Sequence, residues 1–411
     1  MKILLATSSF RGGGIGSYAH EIINNYSKSH EISVIIGDDS RFPINQVGVN
    51  VYKYDCDDLS LDNAKKVLSL INKTIKPDVV INSCAKLFSL ITPYLSSNIT
   101  VIAVSHSLKY QELTIATKNH KYINTIVALS DSCKRYMLKK YRLESEKVKI
   151  VYNFVRSIAD SREIRERKKN TDVISIVYAG GTAPAKSPEI VFKKLKELVK
   201  TDLNFQFYWF GGLTPTMKKI QPYNSIEDIF TPDKRVNLMG RIEKNKAEEL
   251  IANANIFFSP SRREGCPMTL LETMRVGTIA LVADYDIANK EIIIDNYNGF
   301  VVDHKSISGF VEKIKYIVEN HKQLSHIYDN SFEIFNSRLS FDCWKKSMDN
   351  IISENKECKR KNTFSPKLYY IDRISFKLKL KCDNWHLIVS EYMTSAIYFF
   401  VEFFKSKKIC Q

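Results

Sequence analysis

The 411-residue chain has no Cys-x-x-Cys pair, no internal repeat and no low-complexity tract. It also lacks any run of about twenty uncharged apolar residues, so no transmembrane helix is expected. The eight cysteines, scattered from Cys56 to Cys410, have no histidine at metal-ligand spacing. That argues against a disulfide framework and a zinc site, and for reduced thiols in a cytosolic protein. The opening "MKILLATSSF" has too short an apolar run for a signal-peptide core and no small-residue cleavage site, so no leader is expected.

What is present is an ordinary globular composition, 44% hydrophobic, with 61 Lys and Arg against 45 Asp and Glu, a net charge of +16. Such an excess suits anionic partners: nucleic acid, anionic headgroups or phosphorylated substrates. Many of the lysines simply keep a protein of this size soluble. The length calls for two domains. Short β-rich runs alternate with helix-length amphipathic segments. In the first half they are "KILLAT", "EISVIIG", "PDVVINS", "ITVIAVSH", "NTIVALS" and "VKIVYN". In the second they are "VISIVYAGG", "FQFYWFGG", "RVNLMG", "ANIFFSP", "TIALVAD" and "GFVVD". This is the pattern of an α/β chain with two doubly wound, Rossmann-like domains whose ligand loops face a cleft. The expected division is residues 1–160, a charged linker at 161–172 within the strand-free stretch 156–172, a second domain at 173–340 and a helical remainder at 341–411.

Two stretches carry chemistry. After the first strand, "SSFRGGGIGSYAHEI" offers Gly12, Gly13, Gly14 and Gly16, whose backbone can approach a ligand closely ahead of a helix start. Gly14 to Ala19 fits the G-x-G-x-x-A dinucleotide pattern, with Asp38 or Asp39 as a ribose partner, but "SSFR" separates it from the strand. A substrate loop is the alternative meaning, and a purely structural loop a third. The second stretch, "SPSRREGCPMTLLETMRVGT", follows the strand "NIFFSP". Pro267 is expected as the first helical residue. The amides of Met268 and Thr269 then face the cleft and suit a diphosphate. Glu264 lies just before the helix and Glu272 in its second turn, and helical side chains lean back towards the N-terminus. A carboxylate beside a phosphate makes sense where its partner is a hydroxyl, as on a nucleotide sugar. By spacing alone, two such glutamates are ordinary on an exposed helix; the strand before them and "MRVGTIALVAD" after them favour the site.

Residues 236–303, with the E-x7-E pair Glu264 and Glu272, resemble the retaining glycosyltransferases of family 4, which have the two-domain GT-B fold. "YNFV" at Tyr152 to Val155, "WFGG" at Trp209 to Gly212 and the glycine loop extend the resemblance over roughly residues 1–350. It implies that Glu264 contacts donor-sugar hydroxyls and Glu272 the ribose, and that the backbone at Met268 and Thr269, beside Cys266 and Pro267, holds the diphosphate. Lys186 in "AGGTAPAKSPE" matches the lysine that neutralises the phosphates. Many relatives carry an arginine where this chain has Gly181, followed by Thr182, and Arg262 or Arg263 could stand in. His106, after "ITVIAVS", matches a histidine near sugar and acceptor, which would orient or donate to a hydroxyl; the bland alternative is a polar loop residue. The resemblance further implies no metal, no cofactor beyond a UDP- or GDP-linked co-substrate, and no nucleic acid partner. It also implies a glycan or lipid-linked oligosaccharide acceptor and transfer of a hexose-type sugar, with a cytoplasmic location. The alternatives are a non-catalytic nucleotide-sugar-binding protein, a nucleotide-sugar epimerase and an NAD-dependent oxidoreductase. The Ile-, Asn- and Lys-rich composition points to an AT-rich bacterial gene and cell-surface polysaccharide assembly.

The tail, residues 355–411, counts 12 Lys and Arg against 5 Asp and Glu, and Ile397, Phe400, Val401 and Phe404 follow helical spacing. Two readings are open: an interfacial helix on an anionic membrane at the inner face of the plasma membrane, or a helix packed back on the first domain.

Overall fold

The computed structural model describes residues 1–7, 14–37, 48–180, 184–212, 233–285 and 287–356. The chain divides into two compact units. One runs from Met1 to Val127 and takes in the chain from Ile352; the other is Ala128–Ile351.

The strands are β1 (Lys2–Thr7), β2 (Glu31–Ile36), β3 (Val49–Lys53), β4 (Val79–Ser83), β5 (Thr100–Ser105), β6 (Thr125–Ala128) and β7 (Val148–Ile150), then β8 (Ile174–Ala179), β9 (Phe205–Phe210), β10 (Val236–Gly240), β11 (Ile256–Ser259), β12 (Ile279–Ala283) and β13 (Gly299–Val302). The first sheet has the order β3-β2-β1-β4-β5-β6-β7 and the second β10-β9-β8-β11-β12-β13. All five pairings of the second sheet are parallel, as are β1–β2, β1–β4, β2–β3 and β4–β5 in the first. Parallel strands covered on both faces must be apolar throughout. Strands β4, β5, β11 and β12 are accordingly buried at every position. Strand β3, "VNVYK", escapes the sequence reading because it lies at a sheet edge and is buried at no position.

Among the described residues the helices are α1 (Gly14–Tyr26), α2 (Leu61–Ser69), α3 (Lys86–Ile91), α4 (Tyr110–Thr117), α5 (Asp131–Tyr141), α6 (Ser161–Lys169) and α7 (Pro188–Leu198), then α8 (Lys244–Asn253), α9 (Met268–Met274), α10 (Ala288–Ile292), α11 (Ile307–Asn320), α12 (Ser325–Ile334) and α13 (Phe341–Lys356). The core of the second unit is aromatic: Tyr178 meets Trp209 edge-on with ring centroids 5.1 Å apart, and Phe258 meets Phe310 at 5.3 Å.

The charged stretch expected to be a linker holds α6, with Ile164 and Lys168 buried. Lys168 Nζ donates to Thr278 Oγ1 at 2.7 Å and to the Val276 carbonyl at 3.1 Å, and burial holds its pKa well below the usual lysine value. Charge density conceals a packed face here, because a lysine with two polar acceptors can be buried. The compact units divide after Val127, while the first sheet runs on through β7 at Val148–Ile150. Residues 131–153 are tied into the second unit: Glu291 accepts from the amides of Asp131 (2.8 Å) and Ser132 (2.6 Å), and Asn153 donates to the Cys266 carbonyl. Of the tail, residues 357–411 lie outside the described residues, as do Gly12, Gly13, Asp38 and Asp39.

Candidate active site

In the second sheet the strand order reverses between β8 and β11, which are direct neighbours. Doubly wound sheets bind ligands at the carboxyl ends of the strands flanking such a reversal. The loop after β8 carries Lys186, and the loop after β11 carries Arg262, Arg263 and Glu264. Two backbone bonds join the loops, from the amides of Arg262 (2.8 Å) and Arg263 (3.4 Å) to the Ala185 carbonyl. Between them Lys186 Nζ donates to Glu264 Oε1 at 2.5 Å, with the Glu264 side chain only 11% exposed and that of Lys186 32%. Arg262 forms an ion pair with Glu189 Oε1, also at 2.5 Å, from the first turn of α7. Arg263 is exposed and forms no ion pair among the described residues.

Beneath the pair, the Tyr178 hydroxyl donates to the Lys186 carbonyl at 3.2 Å. Burial, and then the carboxylates of Glu264 and Glu189, push its pKa upward, so it is a fixed donor. Ser187, the next residue, takes a left-handed conformation (φ 53) and is buried, which turns the chain abruptly from the lysine into α7.

Pro267 is the cap residue of α9 rather than its first helical residue. Its ring sets φ at −73, but ψ is 122, so the chain is still extended there and Met268 begins the helix. The Pro267 carbonyl accepts from Leu270 (3.1 Å) and Leu271 (3.4 Å). The amides of Met268 and Thr269 therefore have no carbonyl within the helix to bond. Both residues are half-buried, whereas Leu270, Leu271 and Met274 are buried and anchor α9. Cys266 is buried and its thiol is pushed up to about 12 by that burial, so it contributes its carbonyl and no thiolate. The Glu272 side chain has no hydrogen bond or ion pair among the described residues, and burial raises its pKa above the usual glutamate value against the opposing pull of Arg275.

Of the other residues singled out in the sequence, Gly181 and Thr182 lie outside the described residues. Gly14 and Gly16 form the first turn of α1 in the first unit, with six residues between the end of β1 and Gly14. A dinucleotide turn follows its strand almost directly, so this spacing does not fit one. His106 follows β5 in the same unit. Its Nε2 lies 2.8 Å from Ser83 Oγ at the end of β4, and its ring meets Tyr18 of α1 edge-on at 4.8 Å. Burial pushes its pKa down to about 3, so the imidazole is neutral over the ordinary pH range.

Glu189 was not legible as the partner of Arg262, nor Glu291 as the acceptor for the α5 amides. An acid in the first turn of α7 reads as a helix-dipole partner, and nothing local to Glu291 announces the α5 amides that it binds. Two Asp-x-Asp triplets are present, at residues 55–57 and 284–286. Asp57 pairs with Lys86 (3.1 Å) and Asp284 with Lys290 (2.5 Å). Among the described residues no group of three His, Cys, Asp or Glu is arranged to hold a metal ion, and no helix is long and apolar enough to cross a membrane.

Two family profiles divide the chain between them: Glycosyltransferase Family 4 matches residues 12–157, and Glycosyl transferases group 1 matches residues 160–333. An uncharacterized glycosyltransferase of Methanocaldococcus jannaschii is 23% identical over 248 residues, covering 58% of this chain and 60% of its own length. The poly(ribitol-phosphate) alpha-N-acetylglucosaminyltransferase of Staphylococcus aureus is 21% identical over 230 residues, covering 54% of this chain and 43% of its own. The match thus spans at most about 60% of the curated relatives' length. Anabaena HepE in complex with UDP and glucose superposes with a TM-score of 0.69 at 15% identity, over 86% of this chain and 100% of that one. Sheet order, switch-point loops and both profiles agree: the chain belongs to the family 4 glycosyltransferases, with the GT-B fold.

Proposed function

We propose that the protein is a retaining glycosyltransferase that moves a hexose-type sugar from a nucleoside-diphosphate sugar to a glycan or lipid-linked acceptor, in the assembly of a bacterial cell-surface polysaccharide. The observation that carries this reading is the Lys186–Glu264 pair where the second sheet reverses its order. It sets a cation suited to a diphosphate beside a carboxylate suited to sugar hydroxyls, one loop ahead of the amides of Met268 and Thr269. The Staphylococcus aureus relative is named for transfer of N-acetylglucosamine to poly(ribitol-phosphate), which supports a polymer acceptor, and the Anabaena structure holds UDP and glucose, which supports a UDP-linked donor.

In this reading Glu264 grips the sugar and Glu272 the ribose. Lys186 and the two amides stabilise the charge that develops on the departing diphosphate, which is the largest electrostatic demand of the reaction. A diphosphate oxygen takes the acceptor hydroxyl's proton on the face that the leaving group vacates, so configuration is retained. No step calls for a metal. The neutral imidazole of His106 orients a hydroxyl rather than donating a charge. The work is done on the cytoplasmic side, at the inner face of the plasma membrane if the basic tail binds headgroups.

A panel of UDP-, GDP- and ADP-sugars, with mass detection of released nucleotide, tests the reading in the wild-type protein and in Lys186→Met. Release that survives unchanged in Lys186→Met removes the assigned site. A non-catalytic nucleotide-sugar-binding protein is the second reading, favoured by Gly181 at a position where the family resemblance implies an arginine. Stabilisation by UDP or GDP without turnover on any acceptor would select it.

A further inference from the structure

Two of the three cations on the switch-point loops already have a carboxylate partner within the protein: Lys186 has Glu264 and Arg262 has Glu189, both at 2.5 Å. We infer that Glu264 and Glu189 are internal counter-ions that a diphosphate must displace, with Glu189 a positioning residue that sets how readily Arg262 reaches the phosphates. This rests on the donor-site reading above and adds to it an exchange of partners.

The geometry favours exchange over a fixed lattice of charges. The Arg262 amide is pinned to the Ala185 carbonyl, so its backbone cannot follow a ligand and only the side chain can turn. Glu189 Oε1 is buried while Arg262 covers it, but the side chain as a whole is 41% exposed, so a guanidinium that swings away uncovers a carboxylate at the surface that water can solvate. Glu264 is different: at 11% exposure, losing Lys186 would strand a largely buried charge. Its compensation has to come from new donors, and the hydroxyls of a sugar linked to the same diphosphate are such donors. A nucleoside diphosphate alone breaks the pair without compensating Glu264. A nucleotide sugar replaces both partners at once. Recapture of Lys186 by Glu264 after transfer then helps to expel the nucleotide product.

Calorimetric titration with UDP, GDP and inorganic pyrophosphate tests this in the full chain. Glu264→Gln and Glu189→Gln each remove a competing charge with little change of shape. Each is expected to bind the preferred diphosphate roughly three- to tenfold more tightly than wild type, the lower part of the range for coupled neighbouring groups. The gain of Glu264→Gln should vanish in a Lys186→Met background, and that of Glu189→Gln in an Arg262→Met background, which a merely structural effect would not reproduce. Thermal unfolding without nucleotide checks that each variant folds, and the more exposed Glu189→Gln carries the test if Glu264→Gln does not. Binding no tighter than wild type, or a gain that persists without the cation, overturns the exchange. Lys186→Met binding all three probes as wild type does would instead sink the donor site, whatever the glutamine variants show.

Discussion

The side-chain amide of Asn153 donates to the carbonyl oxygen of Cys266 across 2.7 Å, and both residues are buried. The bond holds the peptide that enters Pro267, which has no N–H of its own to fix the start of α9. Asn153→Ala leaves that carbonyl without its partner and should cost about 1–3 kcal/mol of stability. Asn153→Asp sets an acceptor against an acceptor and should be worse at neutral pH. Denaturant unfolding measures both. An aspartate variant as stable as wild type would deny the bond its role in placing the helix.

Glu272 gives a ligand effect and a stability effect of opposite sign. Glu272→Ala should raise the nucleotide dissociation constant about ten- to a hundredfold, the range for lost bonds to a charged group, and depress turnover with it. Because burial raises its pKa, the folded protein holds a proton that the unfolded chain releases near the ordinary value of 4.5. Glu272 therefore favours folding at low pH, and that contribution is lost as pH rises through the folded pKa. Glu272→Gln should raise the unfolding temperature at pH 7 and leave it nearly unchanged at pH 4, while binding nucleotide poorly. A variant less stable than wild type at pH 7 contradicts this.

His106 runs the other way. Its folded pKa of about 3 lies below the ordinary 6.5, so between those values the unfolded chain takes up a proton that the folded protein refuses. Stability is lost as pH falls below 6.5, and His106→Gln should flatten that part of the unfolding-temperature profile. Turnover should show no ionisation near 6.5 that disappears in His106→Gln. Such a limb would place a protonated imidazole in the reaction.

The strands were legible where both faces are covered: β4, β5, β11 and β12 are unbroken apolar runs because nothing on them meets water. Strand β3 was not, since an edge strand buried at no position has no reason to be apolar throughout. Helix α6 was hidden by its own charges. Lys168 is buried by acceptors at Val276 and Thr278, more than a hundred residues on, and no window of sequence contains them. The site divides the same way. The spacing of Glu264 and Glu272 is a local property of one loop and helix. The pairings of Lys186 with Glu264 and Arg262 with Glu189 exist because β8 and β11 are neighbours, a fact of topology rather than of pattern.

Gly277 joins these two levels. It follows α9, donates to the Met274 carbonyl at 2.8 Å and turns the chain with φ +69 into β12, while Thr278 donates to the Thr273 carbonyl at 3.0 Å. A Cβ there would meet the Tyr328 carbonyl oxygen at 2.5 Å and press on Arg165 Cδ of α6. The backbone oxygen cannot rotate away as a side chain could. Gly277→Ala thus combines a left-handed alanine, about 1–2 kcal/mol, with an overlap of similar size. The unfolding temperature should fall by roughly 4–15 °C. Gly37→Ala, where a Cβ meets nothing within 4 Å and φ is not positive, is the control and should stay within about 0.5 kcal/mol of wild type. If both variants unfold alike, α6 yields to the new methyl group and the junction of α6, α9 and β12 is looser than its packing implies. A selective loss in Gly277→Ala, with nucleotide affinity falling in step, would show that the floor of the donor site depends on the helix that its charges disguise.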